Sequence, residues 1–310
     1  MNDFIPTTTE KNLILLNNLI KFNQLITMEI PINRRKPDWL KIKLPKGESY
    51  LKVKEILHGQ KLNTICESGK CPNLSECWTA GTATFMILGE ICTRACRFCN
   101  TNTGIPLPVD CEEPQRVAES VNSMHLKHCV ITSVDRDDLP DGGSTIWAET
   151  ILKIRELNPG TTIEVLIPDF KGMHGNIERV IKVKPDIISH NLETVHSLTK
   201  KVRPQARYNR SLRVLKQIAD SGIVAKSGIM LGLGETETEL FESMDDLLAS
   251  GVSVINLGQY LQPTKAHLPV IDYITPEKFV EYGRMALKKG FRIAESGPLV
   301  RSSYHAERHV

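Results

Sequence analysis

Two kinds of hydrophobic spacing alternate along the chain. Short runs rich in β-branched and apolar residues predict strands over residues 82–88, 129–134, 161–167, 186–190, 223–231 and 252–258. Between them, apolar positions recur every three or four residues and predict helices over 114–126, 145–157, 177–183, 211–221, 237–249 and 276–289. Strand followed by helix, repeated six times, is the string of βα units around a parallel sheet. The expected fold is therefore α/β, a partial (β/α)6 TIM-type barrel whose chain runs on past Ile293. An open flavodoxin-like sheet gives a similar string, but the polar segments 92–99, 133–143, 191–194 and 232–235 each follow a predicted strand, where barrels carry their functional groups.

Outside the barrel the pattern changes. Residues 37–81 have few long periodic elements and contain cysteines, so they read as an irregular, cluster-stapled extension. Residues 1–36 are Asn- and Thr-rich with one short amphipathic stretch, and read as a mobile arm or an over-long start assignment. The expected division is then 1–36 arm, 37–81 extension, 82–295 barrel and 296–310 C-terminal tail.

Composition narrows the function. A chain of 310 residues, 41% apolar, can bury one substantial core. Its 39 basic and 36 acidic residues leave +3, with no basic stretch interleaved with aromatics, so nucleic acid is not an expected partner. No apolar run approaches the roughly 18 residues of a membrane span, and the patch over residues 13–20 is broken by Asn17 and Asn18. Asp3, Glu10 and the lack of arginine before Arg34 do not fit a signal or transit peptide, and a cytoplasmic location is expected.

Six of the eight cysteines fall within 34 residues as two triplets, which points to metal binding in a reducing compartment rather than to disulfides. In Cys92-Thr93-Arg94-Ala95-Cys96-Arg97-Phe98-Cys99, three thiols share one short loop. Three thiolates hold three irons of a [4Fe–4S] cubane and leave the fourth open to a substrate. Zinc is the competing reading, but structural zinc takes four closed ligands and this loop supplies three. Upstream, Cys66, Cys71 and Cys77 are spaced by four and then five residues, again three thiols short of a fourth ligand, with a zinc knuckle as the alternative. Cys129 reads as core packing in a strand, and Cys111 has no role that can be argued.

The 92–99 spacing, with Phe98 before the last cysteine, resembles the radical S-adenosylmethionine superfamily. The four-then-five triplet ahead of it and the terminal Arg301-Ser302-Ser303-Tyr304-His305-Ala306 resemble the lipoyl synthase family in particular. Supporting segments are Arg35-Lys36-Pro37-Asp38-Trp39-Leu40, Thr132-Ser133-Val134-Asp135-Arg136-Asp137-Asp138-Leu139, Lys226-Ser227-Gly228-Ile229-Met230 and Asn256-Leu257-Gly258-Gln259-Tyr260-Leu261. The resemblance runs from about Pro37 to Ala306.

That resemblance implies two [4Fe–4S] clusters. One on Cys92, Cys96 and Cys99 would bind and cleave S-adenosylmethionine. The other, on Cys66, Cys71 and Cys77 with Ser303 as fourth ligand and Ser302 as the weaker choice, would donate sulfur. Two S-adenosylmethionine molecules would be consumed in placing sulfurs at C6 and C8 of an octanoyl chain on a carrier lysine. The implied carriers are the lipoyl domains of 2-oxoacid dehydrogenase complexes and the glycine-cleavage H protein, with a flavodoxin- or ferredoxin-type reductant. Ser133, Asn191, Glu193 and Arg203 follow predicted strands and have the chemistry to hold the cofactor, a carboxylate for the ribose diol and a guanidinium for the methionyl carboxylate. Loop caps and surface ion pairs are the plainer roles for the same residues. Another auxiliary-cluster radical sulfurtransferase is the enzymatic alternative, and a two-cluster electron carrier the alternative from a different class.

Overall fold

The computed structural model describes residues 35–41, 48–80 and 82–309; the arm expected over 1–36 lies, apart from Arg35 and Lys36, outside them. Residues from Lys36 onward form one compact unit. An eight-stranded sheet, in the order β1-β2-β5-β6-β7-β8-β9-β10, organises it. β1 (Asn63–Thr64) runs antiparallel to β2 (Thr84–Ile87). The rest run parallel: β5 (His128–Ser133), β6 (Thr162–Leu166), β7 (Ile187–Ser189), β8 (Val224–Leu231), β9 (Val254–Gln259) and β10 (Ile293–Gly297). A separate short pair, β3 (Ile91–Cys92) and β4 (Asn102–Thr103), brackets the 92–99 cysteine loop.

Parallel strands in strict sequence order, with edge strands β1 and β10 not joined, make a partial barrel rather than a flavodoxin-like sheet, whose order reverses near its centre. The six predicted strands all form. β10 adds a seventh parallel strand; its sequence, Ile-Ala-Glu-Ser-Gly, is half-buried throughout and too weakly apolar to signal one. Among the described residues no helix is long and apolar enough to cross a membrane.

Helix bounds follow local chemistry. The helix Glu237–Ala249 opens on a capping box between Thr236 and Glu239, and Pro276–Lys289 opens on the Thr275 hydroxyl with proline in its first turn, so both match the predicted limits. Glu113–Ser123, Ser144–Leu157, His174–Lys182 and Tyr208–Asp220 complete the outer layer.

The pleat separates two chemistries. Ile131, Ile163, Val165, Ile188, Ile229, Ile255 and Leu257 are fully or almost fully buried in the main apolar core, which includes Trp147 and Ile151 of the helix Ser144–Leu157 and Phe279 of Pro276–Lys289. Alternate residues, Thr132, Glu164, Gly228, Met230, Asn256 and Gly258, line the inner cavity. A strand buried on both faces need not be apolar on both if the inner face has polar work. In the extension, Glu48–Gly59, Ile65–Ser68 and Leu74–Thr79 are short helices sealed by Trp78, whose ring lies 5.2 Å from that of Tyr50.

Candidate functional site

The first triplet stands in the loop after β2, at the C-terminal end of the sheet. One side chain organises that loop. Arg94, almost fully buried, donates from Nε and Nη2 to Asp137 at 2.7 and 2.8 Å, from Nη2 to Asp169 at 2.7 Å, and lies 3.2 Å from Asp135 by Nη1. Burial pulls the Asp169 carboxyl up, but Arg94 beside it holds it below the usual range, with Arg210 Nε 2.9 Å away on the other side. The guanidinium thus ties the cysteine loop to the loops after β5 and β6. Backbone joins in: Thr93 N donates to Asp135 O at 3.0 Å and Arg97 N to Val202 O at 2.9 Å.

The second triplet is assembled from short helices and a distant tail. Cys66 lies in Ile65–Ser68, Cys77 in Leu74–Thr79, and Cys71 between them. Thr64 caps the first of these helices by accepting from Glu67 N. Asn73 Nδ2 donates to Leu299 O at 2.7 Å, across 226 residues of sequence, and Tyr304 Oη donates to Glu76 Oε1 at 3.1 Å.

One cavity of about 490 Å³ is lined by Cys92, Cys96 and Cys99, by Cys66 and Cys71, and by Ser302 and Ser303. Cys77 is not part of this lining. Burial pushes the thiols up, Cys66 and Cys92 to about 11 and Cys77 and Cys96 to about 12, and neighbours add to it: Cys71 at Cys66, Cys66 and Cys71 at Cys77, Asp135 at Cys92. Such thiols stay protonated until a cation takes the proton's place. Iron would relieve both the burial penalty and the mutual repulsion of three thiolates, so each set fits a cluster. Among the described residues, no three His, Cys, Asp or Glu side chains are arranged to hold a single metal ion, whereas a cubane spreads its ligands over separate irons.

Ser133, Asn191, Glu193 and Arg203 line the same cavity. Ser133 ends β5 and spends its hydroxyl proton on Val134 O at 2.8 Å. Glu193 has a left-handed backbone (φ 67°), fixed by bonds from its N to Gly228 O and from Met230 N to its own O, each 2.9 Å. Burial pushes its carboxyl up while Arg203 opposes the rise. Arg203 Nη1 holds the carbonyls of Asn191 and Leu192 at 2.8 and 3.1 Å. Its Nε, with Asn191 Oδ1 and Asn256 Oδ1, is buried without a partner among the described residues. Three orphaned polar atoms around one cavity fit a polar cofactor such as S-adenosylmethionine. Asn191 Nδ2 also donates to Glu193 at 3.1 Å and to Ser302 Oγ at 2.7 Å, touching both halves of the site.

Sequence reasoning gave no role to Arg94 and its aspartates, to Arg301, or to the buried pair Glu164 and Lys226, although several of them stand inside the quoted motifs. A signal existed for the last two: charged residues at alternate positions in apolar strands. Cys129 is buried in β5, Cys111 is exposed, and His190 is a core residue bonded to Ile167 O and Ser211 Oγ, both at 2.9 Å.

A three-thiol loop at the mouth of a partial barrel points to the class, and residues 86–247 match the model of the Radical SAM superfamily. Streptococcus suis SuiB bound to S-adenosylmethionine has the same fold, with a TM-score of 0.53 at 15% identity over 68% of this chain and 48% of that one. Residues 1–71 match the N-terminal domain of lipoyl synthase of the radical SAM family. Lipoyl synthases of Parabacteroides distasonis and Phocaeicola vulgatus are 60% and 61% identical over 89% of this chain and 98% and 97% of theirs. The chain belongs to the lipoyl synthase family.

Proposed function

We propose that this enzyme inserts two sulfur atoms at C6 and C8 of an octanoyl chain carried on the lysine of a lipoyl domain. The observation that carries this reading is the single cavity lined by thiols of both triplets and by Ser303. An electron carrier needs its clusters within reach of each other, but has no use for a cavity of this volume between them.

In this reading Cys92, Cys96 and Cys99 hold the cluster with the open iron, and Ser133, Asn191, Glu193 and Arg203 orient S-adenosylmethionine against it. Cys66, Cys71, Cys77 and Ser303 hold the auxiliary cluster. When bound, the cofactor and its reduced cluster supply a 5′-deoxyadenosyl radical for each C–H bond, and the auxiliary cluster supplies the sulfur. The chain's own residues do the rest. Arg94 fixes the loop of the first triplet, and the apolar Ile167, Met230 and Leu261 of the lining offer the octanoyl chain a dry path. A hydroxyl oxygen is a harder ligand than a thiolate, so Ser303 would hold iron less firmly than a fourth cysteine would.

The division into extension 37–81, barrel 82–295 and tail 296–310 belongs to the same proposal, the tail completing the extension's site. So do the carriers, lipoyl domains of 2-oxoacid dehydrogenases and the glycine-cleavage H protein, and a flavodoxin- or ferredoxin-type reductant. A cytoplasmic location suits eight free thiols. Anaerobic reconstitution should load about eight irons per chain, four per cluster. The loaded protein should convert an octanoyl-lysyl peptide to the doubly thiolated product; two clusters with no thiolation, in the presence of reductant and S-adenosylmethionine, would defeat the reading.

A further inference from the structure

The tail that brings Ser303 to the cavity is held by a rail of buried polar side chains. Its carbonyls at Leu299, Arg301 and Ser302 accept from Asn73 Nδ2 at 2.7 Å, Asn256 Nδ2 at 3.0 Å and Lys226 Nζ at 2.6 Å. The Ser302 hydroxyl accepts from Asn191. Gly258 permits the close approach, since a Cβ there would overlap the Val300 carbonyl. Among the described residues, the Ser303 hydroxyl alone of the two serines has no hydrogen bond.

Lys226 differs from the other members of this rail. Its ammonium is buried and donates to three acceptors: Ser302 O, Glu164 Oε1 at 2.7 Å and His309 Nδ1 at 3.0 Å. All three N–H groups are used. His309 is fully buried, Arg292 Nη2 fixes its carbonyl at 2.8 Å, and burial together with Lys226 keeps its ring neutral and able to accept. Glu164 is steadied by Ser189 Oγ at 2.9 Å. One ammonium on β8 therefore closes residues 302–309 into a loop gripped at both ends. Only a lysine can direct three donors from one atom; the planar fork of arginine cannot.

We infer that Lys226 is a positioning residue that clasps both ends of the 302–309 loop and so presents the Ser303 hydroxyl to the auxiliary thiols. The inference rests on the reading of Ser303 as a cluster ligand. It needs no change in the protonation of any group.

The test compares the full chain, with and without clusters, in three variants. Lys226→Met/Glu164→Gln removes the clasp without leaving a lone buried charge, Lys226→Arg keeps the charge but not the geometry, and Ser303→Ala removes the ligand but not the clasp. Hydrogen exchange of peptides within 299–309 reports the tail directly, independent of turnover. In the cluster-free double variant it should quicken about tenfold or more, the scale of one lost charged hydrogen bond. Strand β8 and β9 peptides should keep their protection, which also checks folding. Lys226→Arg should fall between the double variant and the parent, and it carries the test should the double variant not fold. After reconstitution, tail-loosened variants should make less doubly thiolated product while still generating 5′-deoxyadenosine. Unchanged tail exchange, or a loosened tail with full thiolation, overturns the clasp. Full thiolation by Ser303→Ala overturns instead the ligand reading beneath it.

Discussion

Thiols of both cysteine triplets line one cavity, but the triplets are built in opposite ways. The first is local: three thiols in eight residues, bracketed by β3 and β4 and locked by Arg94 to Asp135, Asp137 and Asp169. The second is an assembly at a distance, two short helices completed by a tail whose Asn73 to Leu299 contact spans 226 residues. A locked loop suits a cluster that must survive each turnover. A site closed by a tail hydroxyl, the role proposed for Ser303, would suit one that gives up its parts.

The strongest way to break this contrast is to delete each triplet. Cys92, Cys96 and Cys99 all changed to alanine should reduce 5′-deoxyadenosine formation to background and leave about four irons; normal radical yield would reverse the assignment. With Cys66, Cys71 and Cys77 changed instead, 5′-deoxyadenosine should persist while thiolated product disappears, read by mass spectrometry of an octanoyl-lysyl peptide. Sulfur insertion by that variant would remove the second triplet from the chemistry.

Next in size is the lock on the first loop. Arg94→Met leaves the fully buried Asp169 with the Lys171 backbone N–H at 3.0 Å and Arg210 at 2.9 Å, and the loss of one partner from a buried ion pair costs about 3–5 kcal/mol. Thermal unfolding of the cluster-free chain should show it, and the loop should then load iron poorly. An unchanged melting temperature would mean that the loop does not depend on its lock.

Ser303 sharpens the contrast from the other side. Ser303→Ala should lower iron content only slightly, because three thiolates remain, yet depress turnover. Ser303→Cys should hold iron well and stall, leaving a singly thiolated chain. Parental yields of the doubly thiolated product from both variants would remove the oxygen ligand from the account.

The smallest effect belongs to His190, which directly follows β7 and lines the cavity. Burial, with Arg203 beside it, drops the His190 imidazole to about 4. Above the ordinary value near 6.5 neither folded nor unfolded chain is protonated there, and its contribution to stability is complete. Between 6.5 and 4 the unfolded chain takes up a proton that the folded one refuses, so stability falls as pH falls, by roughly 3 kcal/mol at the lower limit. Denaturant titrations of the cluster-free chain across this window should have a shallower pH slope for His190→Gln, and equal slopes would place the proton uptake elsewhere.

Much of this protein could be read directly from the chain. Apolar periodicity marked six of the seven parallel strands of the main sheet among the described residues, and it gave the limits of the two helices that open on Thr236 and Thr275. Cysteine spacing marked both thiol sets. These features are local, and local chemistry is written in neighbouring residues. The strand Ile293–Gly297 escaped because its place in the sheet comes from pairing with β9, not from its own hydrophobicity.

Tertiary structure decided what distant residues do together. Nothing in the spacing of Arg94 and Asp169 says that they meet, and Lys226 in β8 looks misplaced until Glu164, Ser302 and His309 converge on it. Asn191, read from sequence as a cofactor contact, holds the tail serine Ser302. A buried polar group must find a partner wherever the fold brings one, and the partner's sequence position is free. The sequence by itself marked the two cysteine triplets and the partial barrel that supports them; only the folded chain brought thiols of both triplets to one cavity and chose the polar side chains around them.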